Sequence, residues 1–524
     1  MSLEHALVEQ ALVEQALAAS VVDTLLRENY GGLSDFVISG SELRLPGFPA
    51  LPLVPDGFLA DYRLDRSAVT LTLDDVDAMV LVLADPADSA GVAAFRTECR
   101  EALAGLLMRE AHPAGAGYDA AAARLPHPAY PTWAARCGWS AEDSLRYGPE
   151  HSPTFLLRWA AVPASAVVRA GVPVPPWWPE FSDVGLPASM AAGFELFPVH
   201  PLTAGLLPSS ARLAPASFLA VRPTLSVRTV DVLCAAGVQL KLPLGTSTLG
   251  LRNKRSIMPG TLADGALVRG VLAAIVARDL TLGRLLLADD GNYAHAGHPY
   301  LGYLLRLLPD DLIGYPVVPV AALLAPSVID ELAGRDLPGW FRGYCALVFG
   351  IAVRLFVRYG IALESHQQNA ALVRGHLLVK DFDGALINYP RLAAALGPAA
   401  PDRAQFADQR LLTESDDDLA NVFITITVHL CAGAIAFGLA DRGRAPLPVL
   451  ISIVRETLVA ALDEYGGAPA AALLAARLLE HDRLPGKAMV TAGTLVDKSR
   501  TGAGDINKYY GTTGPNYLCS EVVR

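Results

Sequence analysis

A polar cluster set between two apolar runs constrains this chain more than any other stretch. Residues 345–363 are apolar apart from Arg354, Arg358 and Tyr359, which reads as a buried helix. Glu364, His366, Gln368 and Asn369 then arrive together. Two short β-like runs follow, Ala370–Val373 and His376–Lys380, with Arg374-Gly375 as the turn between them. The second run ends in Asp381-Phe382-Asp383-Gly384. A hairpin of this register brings Gln368 and Asn369 beside Asp381 and Asp383. Polar groups flanked by buried apolar segments have to be paired or used. Amide oxygens with two carboxylates are hard oxygen ligands, the set taken by a Mg²⁺ ion bound to a nucleotide.

A second cluster lies upstream. Residues 220–230 read as a strand holding Ser226, Arg228 and Thr229. After a turn at Ala236-Gly237, residues 238–242 read as another strand with Lys241 inside it. The segment PLGTSTLGLR follows and ends on Arg252, with Lys254 and Arg255 just beyond. Cations beside hydroxyls and glycines suit a polyphosphate: the cations neutralise charge, and the hydroxyls and backbone N–H groups orient oxygens. The segment lacks the P-loop spacing.

At 524 residues the chain exceeds one core, so two or three domains are expected. A hydrophobic content of 52% against 18% charged supplies large cores and excludes general disorder. A net charge of −11 argues against a nucleic-acid partner while leaving room for a local basic pocket. Cys99, Cys137, Cys234, Cys345, Cys431 and Cys519 are scattered without metal-ligand spacing, as free thiols in a reducing cytoplasm would be. No basic-then-apolar leader opens the sequence, so a cytoplasmic location is expected. Residues 419–440 carry no Asp, Glu, Lys or Arg and are long enough to span a bilayer. Asn421, Thr425, Thr427, His429 and the acidic flank Asp416–Asp418 favour a core helix instead, with no membrane partner.

Elsewhere the patterns are coarser. The tandem ALVEQ of residues 4–18 reads as a helical extension. Residues 68–73 and 78–83 look strand-like, and the proline-rich stretch 45–55 looks like a loop. VPVPPWWP within residues 162–179 reads as a stiff connector at a domain boundary. Residues 260–345 look largely helical, with a loop at 289–299. Residues 411–440 and 447–480 read as helices. The tail 487–516, with Lys487, Lys498, Arg500 and Asn516, reads either as a flexible end or as a flap over a site.

The order and spacing of these motifs resemble the IucA/IucC-like siderophore synthetases, the type that works without a nonribosomal peptide synthetase. The resemblance runs from about residue 120 to about 480. It is carried by His127-Pro128, Arg136-x-Gly138, Tyr147-x-Pro149-Glu150, His200-Pro201, Ser226-x-Arg228-Thr229 and Lys241…Thr248…Arg252. Above all it is carried by Glu364-Ser-His366-x-Gln368-Asn369 and Lys380-Asp-Phe-Asp-Gly384. Departures are also present. Tyr130 and Ala134 stand where the family usually has His and Lys, Gln367 stands where Gly is common, and His200-Pro201 continues as LTAG.

The resemblance implies an α+β, multidomain cupped hand: a thumb over residues 1–165, fingers over 166–345, and a palm over 346–524 with a kinase-like hairpin. It implies adenylation of a carboxylate with ATP and Mg²⁺, then attack by an amine or hydroxyl, releasing pyrophosphate and AMP. Citrate or a citrate derivative is favoured over 2-oxoglutarate. By this resemblance His200, Ser226, Arg228, Thr229, Lys241, Gln368 and Asp383 handle the nucleotide. Thr248, Arg252 and His366 face the acid, and Asn369, Asp381 and Asp383 serve the metal. Arg252, His366 and Lys241 are the implied catalytic set, and a homodimer is allowed. Two alternatives stay open. One is a kinase-like phosphotransferase, imitated by His366-x-x-Asn369…Asp381-Phe-Asp-Gly384 but lacking the catalytic-loop Asp. The other is an inactive nucleotide-binding relative.

Overall fold

The computed structural model describes residues 3–504 and 508–519. Its N-terminal part is a helical layer on a small antiparallel sheet. The helix Leu3–Arg27 buries Leu17, Val21, Val22 and Leu25 against the helices Leu73–Leu83 and Ser89–Ala111. Two expectations are corrected here. Residues 51–55 form a strand, paired through Leu53 with Leu64, because alternate side chains reach the core. Residues 78–83 are helical: a capping box of Thr72 and Asp75 starts the helix Leu73–Leu83, and residues 68–72 merely lead into it.

The middle of the chain is a nine-stranded sheet. Its central strands run Asp289–His298, Leu301–Leu307, Val238–Lys241, Thr229–Val232, Phe218–Pro223, Phe155–Pro163, each antiparallel to the next. The single strand expected over 220–230 is two strands. The chain reverses between them, with Val227 in the left-handed region at φ 67°. The loop expected at 289–299 is the strand Asp289–His298, and Leu285–Leu287 and Leu301–Leu307 are strands where helix was expected. Buried partners explain the error: Asp290 is ion-paired with Arg306, and the Asn292 Oδ1 accepts from the Val172 N–H at 2.9 Å. The helix Pro259–Arg278 closes one face through Leu262, packed near Tyr293 and Leu304. The tryptophans of the expected connector lie on this same sheet. Trp178 meets Trp159 edge-on and donates Nε1–H to the Leu196 carbonyl at 3.1 Å.

The third and largest core gathers the helices Leu337–Tyr359, Leu447–Asp463 and Pro469–Leu479 around the segment 416–441, whose middle, Phe423–Gly433, winds as a π-helix. Three helices here and in the sheet layer, Pro259–Arg278, Leu337–Tyr359 and Asp416–Asp441, are long and apolar enough to cross a membrane. The last of these has 83% of its apolar window buried inside the protein. The expected hairpin forms from Ala370–Val373 and His376–Val379, with Arg374 and Gly375 both at positive φ in the turn. Its second strand pairs in parallel with Leu285–Leu287, so the stretch leading into the sheet strand Asp289–His298 also edges the hairpin.

The C-terminal stretch returns to the N-terminal core. Val490 and Leu495 join that core, and the buried Glu28 carboxylate accepts the Val490 and Thr491 N–H groups at 3.1 and 2.8 Å. Thr494 donates to the buried Glu98 at 2.7 Å. Arg483–Gly486 and Thr512–Pro515 pair as a hairpin.

Two outcomes are expected. At Gly91 a Cβ would sit against the carbonyls of Thr494 and Leu495, closer than any real contact. Gly91→Ala should therefore destabilise the protein by about 1–3 kcal/mol, read as a lower thermal midpoint. Burial also holds His200 down at about 3 and His429 at about 4. The unfolded chain binds these protons near about pH 6.5, whereas the folded chain does not until much lower. Their contribution to stability is thus full above about pH 6.5 and is lost as pH falls from there toward their folded values, at up to about 1.4 kcal/mol per pH unit for each. The urea midpoint should drop between neutral and mildly acidic buffer, and a flat profile would contradict this.

Candidate functional site

Three neighbouring strands and the hairpin end meet around one charge network. Arg306, fully buried on the strand Leu301–Leu307, donates Nε–H to Asp290 Oδ1 at 2.6 Å and Nη2–H to Asp290 Oδ2 at 2.9 Å. The same Nη2 lies 2.7 Å from Asp381 Oδ1, and Lys241 Nζ lies 2.5 Å from that oxygen. The Asp381 N–H donates to Asp290 Oδ2 at 2.8 Å. Asp381 adopts φ 59°, a conformation that side-chain-bearing residues hold only when their surroundings insist on it. Burial alone would raise the Asp381 carboxyl, but Arg306 and Lys241, with Lys380, hold it well below the usual carboxylate range. Asp383 is the freer carboxylate, 3.9 Å from Lys241 Nζ and 31% exposed.

Lys241, Asp290, Asp381 and Asp383 line a cavity of about 140 Å³, with Arg306 behind them. Arg228, Lys241, Arg255, Asp381 and Asp383 give it charge, while Ile257, Met258, Leu262 and Phe382 give it an apolar side. Arg228 is fixed by donation to the Ser256 carbonyl at 2.7 Å. Of the remaining expected phosphate ligands, Thr229 pairs in register with Lys241, and Ser226 Oγ accepts the Thr229 N–H at 3.0 Å, shaping the strand reversal. His200 lies elsewhere: it is buried against Tyr147 and Phe155, with Nδ1 accepting the Leu202 N–H at 3.2 Å.

Beside this cavity lies a basic array. Arg255 Nε donates to Thr248 Oγ1 at 2.5 Å. Burial, then the charge of Arg228, brings the Arg255 guanidinium down to about 9, opposed by Asp381 and Glu364. Burial also depresses His366 to about 4, with Lys487 and Arg255 adding and Asp381 opposing. His127 is lowered to about 3 by burial and then by His366, Arg27, Lys487 and Arg255. Both rings are neutral near pH 7. The Gln368 N–H donates to His366 Nδ1 at 3.3 Å, and the Ala129 N–H to His127 Nδ1 at 3.1 Å. In each neutral ring the proton therefore sits on Nε2, which is left as a hydrogen-bond donor.

The polar loop ahead of the hairpin hangs from the π-helix. Gln367 Nε2 donates to the Leu430 carbonyl at 2.7 Å, and Cys431 Sγ to the Ser365 carbonyl at 3.2 Å. The Asn369 amide turns back to donate to the Glu364 carbonyl at 3.2 Å, and its own carbonyl accepts the Lys380 N–H at 3.0 Å. The Glu364 carboxylate occupies the space a Cβ on Gly384 would need, so a side chain there would displace Glu364. Arg252 sits at the seam with the C-terminal return, its Nη1 donating to the Ala492 carbonyl at 3.0 Å.

Asp381 and Asp383 thus face the cavity, whereas Asn369 serves the loop. Among the described residues no group of three or more His, Cys, Asp or Glu forms a metal cluster. Two carboxylates at a phosphate-sized, cation-lined cavity nonetheless fit a Mg²⁺ ion that brings phosphate oxygens as its other ligands. Sequence reasoning gave no role to Asp290, Arg306, His127 or Lys487, and counted Arg255 only among the cations of the polyphosphate cluster. Asp290 and Arg306 gave no signal, being 16 residues apart and outside every motif. His127 and Lys487 were visible as a motif member and a tail lysine, without a reason to join them.

Residues 121–325 match the IucA / IucC family, and residues 339–502 match the family described as ferric iron reductase FhuF-like transporter. An aerobactin synthase of Escherichia coli is 26% identical over 320 residues, which cover 49% of this chain and 53% of that protein. The chain spans about half the length of the curated relatives it matches. Among solved structures, the petrobactin biosynthesis protein AsbB from Bacillus anthracis str. Sterne has a TM-score of 0.78 at 17% identity, covering 99% of this chain and 98% of that one. The ATP-bound aerobactin synthetase IucA of Klebsiella pneumoniae has a TM-score of 0.70 at 16% identity, covering 97% of this chain and 100% of that one. The multidomain α+β fold expected from the resemblance is the fold of these synthetases. The first matched segment carries Arg228, Lys241 and Arg255, so these cavity residues lie within the stretch that is similar to the IucA / IucC family.

Proposed function

We propose that this protein is an ATP-dependent siderophore synthetase. It adenylates a carboxylic acid, citrate or a citrate derivative, and condenses the acyl-adenylate with an amine or hydroxyl nucleophile, releasing pyrophosphate and AMP. The observation that carries the reading is the junction of two unlike regions. A cation-and-carboxylate cavity with one apolar wall suits a nucleotide, and it abuts an array of neutral imidazoles and cations that suits an organic acid. The thumb, fingers and palm bounds given above belong to the same proposal.

The assigned roles follow the contacts. Arg228 and Lys241 neutralise the phosphates, and Lys241 exchanges its bond to Asp381 for phosphate oxygen as ATP enters. Asp383, with Asp381, would hold Mg²⁺, which would offset charge on the triphosphate. Ser226 and Thr229 shape the strand reversal that presents Arg228, and Gln368 fixes the His366 tautomer. His366 and His127 donate Nε2–H to the acid, with Lys487, Arg255 and Arg252 supplying charge and Thr248 holding Arg255 in place. This tautomer makes His366 an anchor for the acid rather than a base. Attack of the carboxylate on the α-phosphorus forms the acyl–phosphate bond and expels pyrophosphate. The Arg228 and Lys241 cations stabilise the charge that builds there. Holding acid and nucleotide in contact supplies much of the remaining rate. His200, buried against Tyr147 and Phe155, has no part in this reading.

The test is nucleotide analysis. The chain, Mg-ATP and hydroxylamine are incubated with citrate, a citrate monoamide or 2-oxoglutarate. AMP, pyrophosphate and an acid-dependent hydroxamate are expected, whereas ADP would move the kinase-like reading to the front. Lys241→Ala and His366→Ala should each lower hydroxamate formation by at least about 100-fold, with thermal melting showing that both variants are folded. Normal turnover in either variant would remove that residue from the site.

A further inference from the structure

The reversal that delivers Arg228 to the cavity is a strained turn. Residues 224–228 join the strands Phe218–Pro223 and Thr229–Val232. Within them Val227 holds φ 67°, which a β-branched residue adopts only under constraint. The Arg228 N–H donates to the Ser226 carbonyl at 2.8 Å and closes a three-residue turn around Val227. A turn of that kind at positive φ is the rare, strained form. Its surroundings over-determine it. The Val227 N–H donates to the Thr224 carbonyl at 2.9 Å, and the Val227 side chain is buried. Thr224 donates both its N–H and its Oγ1–H to the Thr229 carbonyl, at 2.9 and 3.0 Å.

A clamp from outside the sheet completes the constraint. The Leu225 N–H donates to Asp119 Oδ1 at 2.7 Å, across 106 residues of chain. Asp119 stands in the first turn of the helix Tyr118–Ala123. Tyr118 and Leu225 both pack on the largest core, so neither side of the clamp is free to drift. The same carboxylate also acts on the hairpin end. Burial and then Arg306 push the Lys380 ammonium down, and Asp119 opposes them. Lys380 immediately precedes Asp381.

We propose that Val227 and Asp119 are positioning residues for Arg228, and that the clamped turn sets its guanidinium in place for phosphate oxygens before ATP binds. The inference rests on the acyl-adenylate reading above for the reaction it serves. Arg228 follows Val227 directly, so a change of φ at Val227 swings the whole of Arg228. Glycine would adopt this φ without strain but would adopt negative φ as readily, and the guanidinium would lose its fixed direction. Valine, buried and stiff at χ1, keeps one conformation. The Arg228 carbonyl accepts the Leu242 N–H at 2.8 Å, so the far side of the residue is fixed beside Lys241. Both cations of the cavity thus share one frame. Cations preset in this way meet the charge that builds on the phosphates without reorganising, and a misplacement of about 1 Å can cost on the order of 100-fold in rate.

The test uses the full chain with Val227→Gly, Asp119→Ala and Asp119→Asn, each checked for folding by thermal melting. Hydroxamate formation is followed at varied Mg-ATP with the acid that the unaltered chain uses. Val227→Gly and Asp119→Ala should each lower kcat/KM for Mg-ATP by at least about 10-fold, with KM for the acid within about 2-fold of the unaltered chain. Asp119→Asn keeps an acceptor oxygen for the Leu225 N–H while losing the charge felt by Lys380, and its kcat/KM should stay within about 3-fold. Calorimetry with Mg-ATP alone reads the positioning without turnover and should rank the variants in the same order. The two Asp119 variants decide the matter even where the glycine variant fails to fold. Full kcat/KM in Val227→Gly or Asp119→Ala, or an Asp119→Asn as impaired as Asp119→Ala, overturns the proposal. An unaltered chain that binds Mg-ATP but makes no AMP loses the adenylate reading, and the calorimetric series then decides the positioning by itself. No binding of Mg-ATP by the unaltered chain overturns both.

Discussion

Arg306 is a cation with no exposed surface, and the way the sheet meets the hairpin depends on it. A charge in that position has to be paired, because removing one partner of a buried pair costs about 3–5 kcal/mol. Asp290 satisfies it from the adjacent strand, and Asp381 reaches it from the far end of the hairpin. The same Asp290 accepts the Asp381 N–H, so the left-handed turn at Asp381 is held from both its backbone and its side chain. Lys241 and Asp383 then have little freedom over where they point. The cavity charge is thus set by a bond network that itself lies behind the cavity.

The half of the site proposed to face the acid is assembled over much longer chain separations. Arg252 bonds the carbonyl of Ala492, and the Leu251 N–H bonds Thr494 Oγ1 at 2.9 Å. Thr494 is held in turn by Glu98, which also accepts from Thr132 at 2.5 Å. Burial raises the carboxyls of both Glu28 and Glu98, the two acids that receive the returning segment. The backbones come so close that a Cβ on Gly250 would lie 3.1 Å from the Cα of Gly493. The Arg252 loop is thus braced by the N-terminal core through the C-terminal return.

Legibility in the sequence follows this division. The hairpin was readable because its strands are short, apolar and joined by Arg374-Gly375, a pair able to take positive φ. The buried helix ahead of it and the core character of residues 419–440 were readable from apolar density. The strand Asp289–His298 was not, since Asp, Gly, Asn and His score as loop. Its polar residues are tolerated inside only because Arg306 and Val172 meet them, and such partners are invisible locally. Residues 78–83 fit a helix and a strand equally by hydropathy, and the cap at Thr72 decides between them. Within the site, Arg228, Lys241, Asp381 and Asp383 converge as their motifs suggested. The joining of His127, His366 and Lys487 needs three distant segments and no periodicity announces it.

The distribution of charge has a chemical logic under the adenylation reading. The phosphate side gains charge as the α-phosphorus is attacked, and permanent cations stand there: Arg228, Lys241 and the Arg306 behind them. The acid side loses charge, because the reacting carboxylate becomes a neutral mixed anhydride. A full cation against the reacting carboxylate would stabilise the substrate more than the transition state and slow the step, so the Lys487, Arg255 and Arg252 cations assigned to this end suit the carboxylates of the acid that do not react. Imidazoles kept neutral by burial, with Nε2–H fixed as the donor, bind the carboxylate by hydrogen bonds that survive its loss of charge. The depressed pKa values of His366 and His127 are therefore what the chemistry at that end requires.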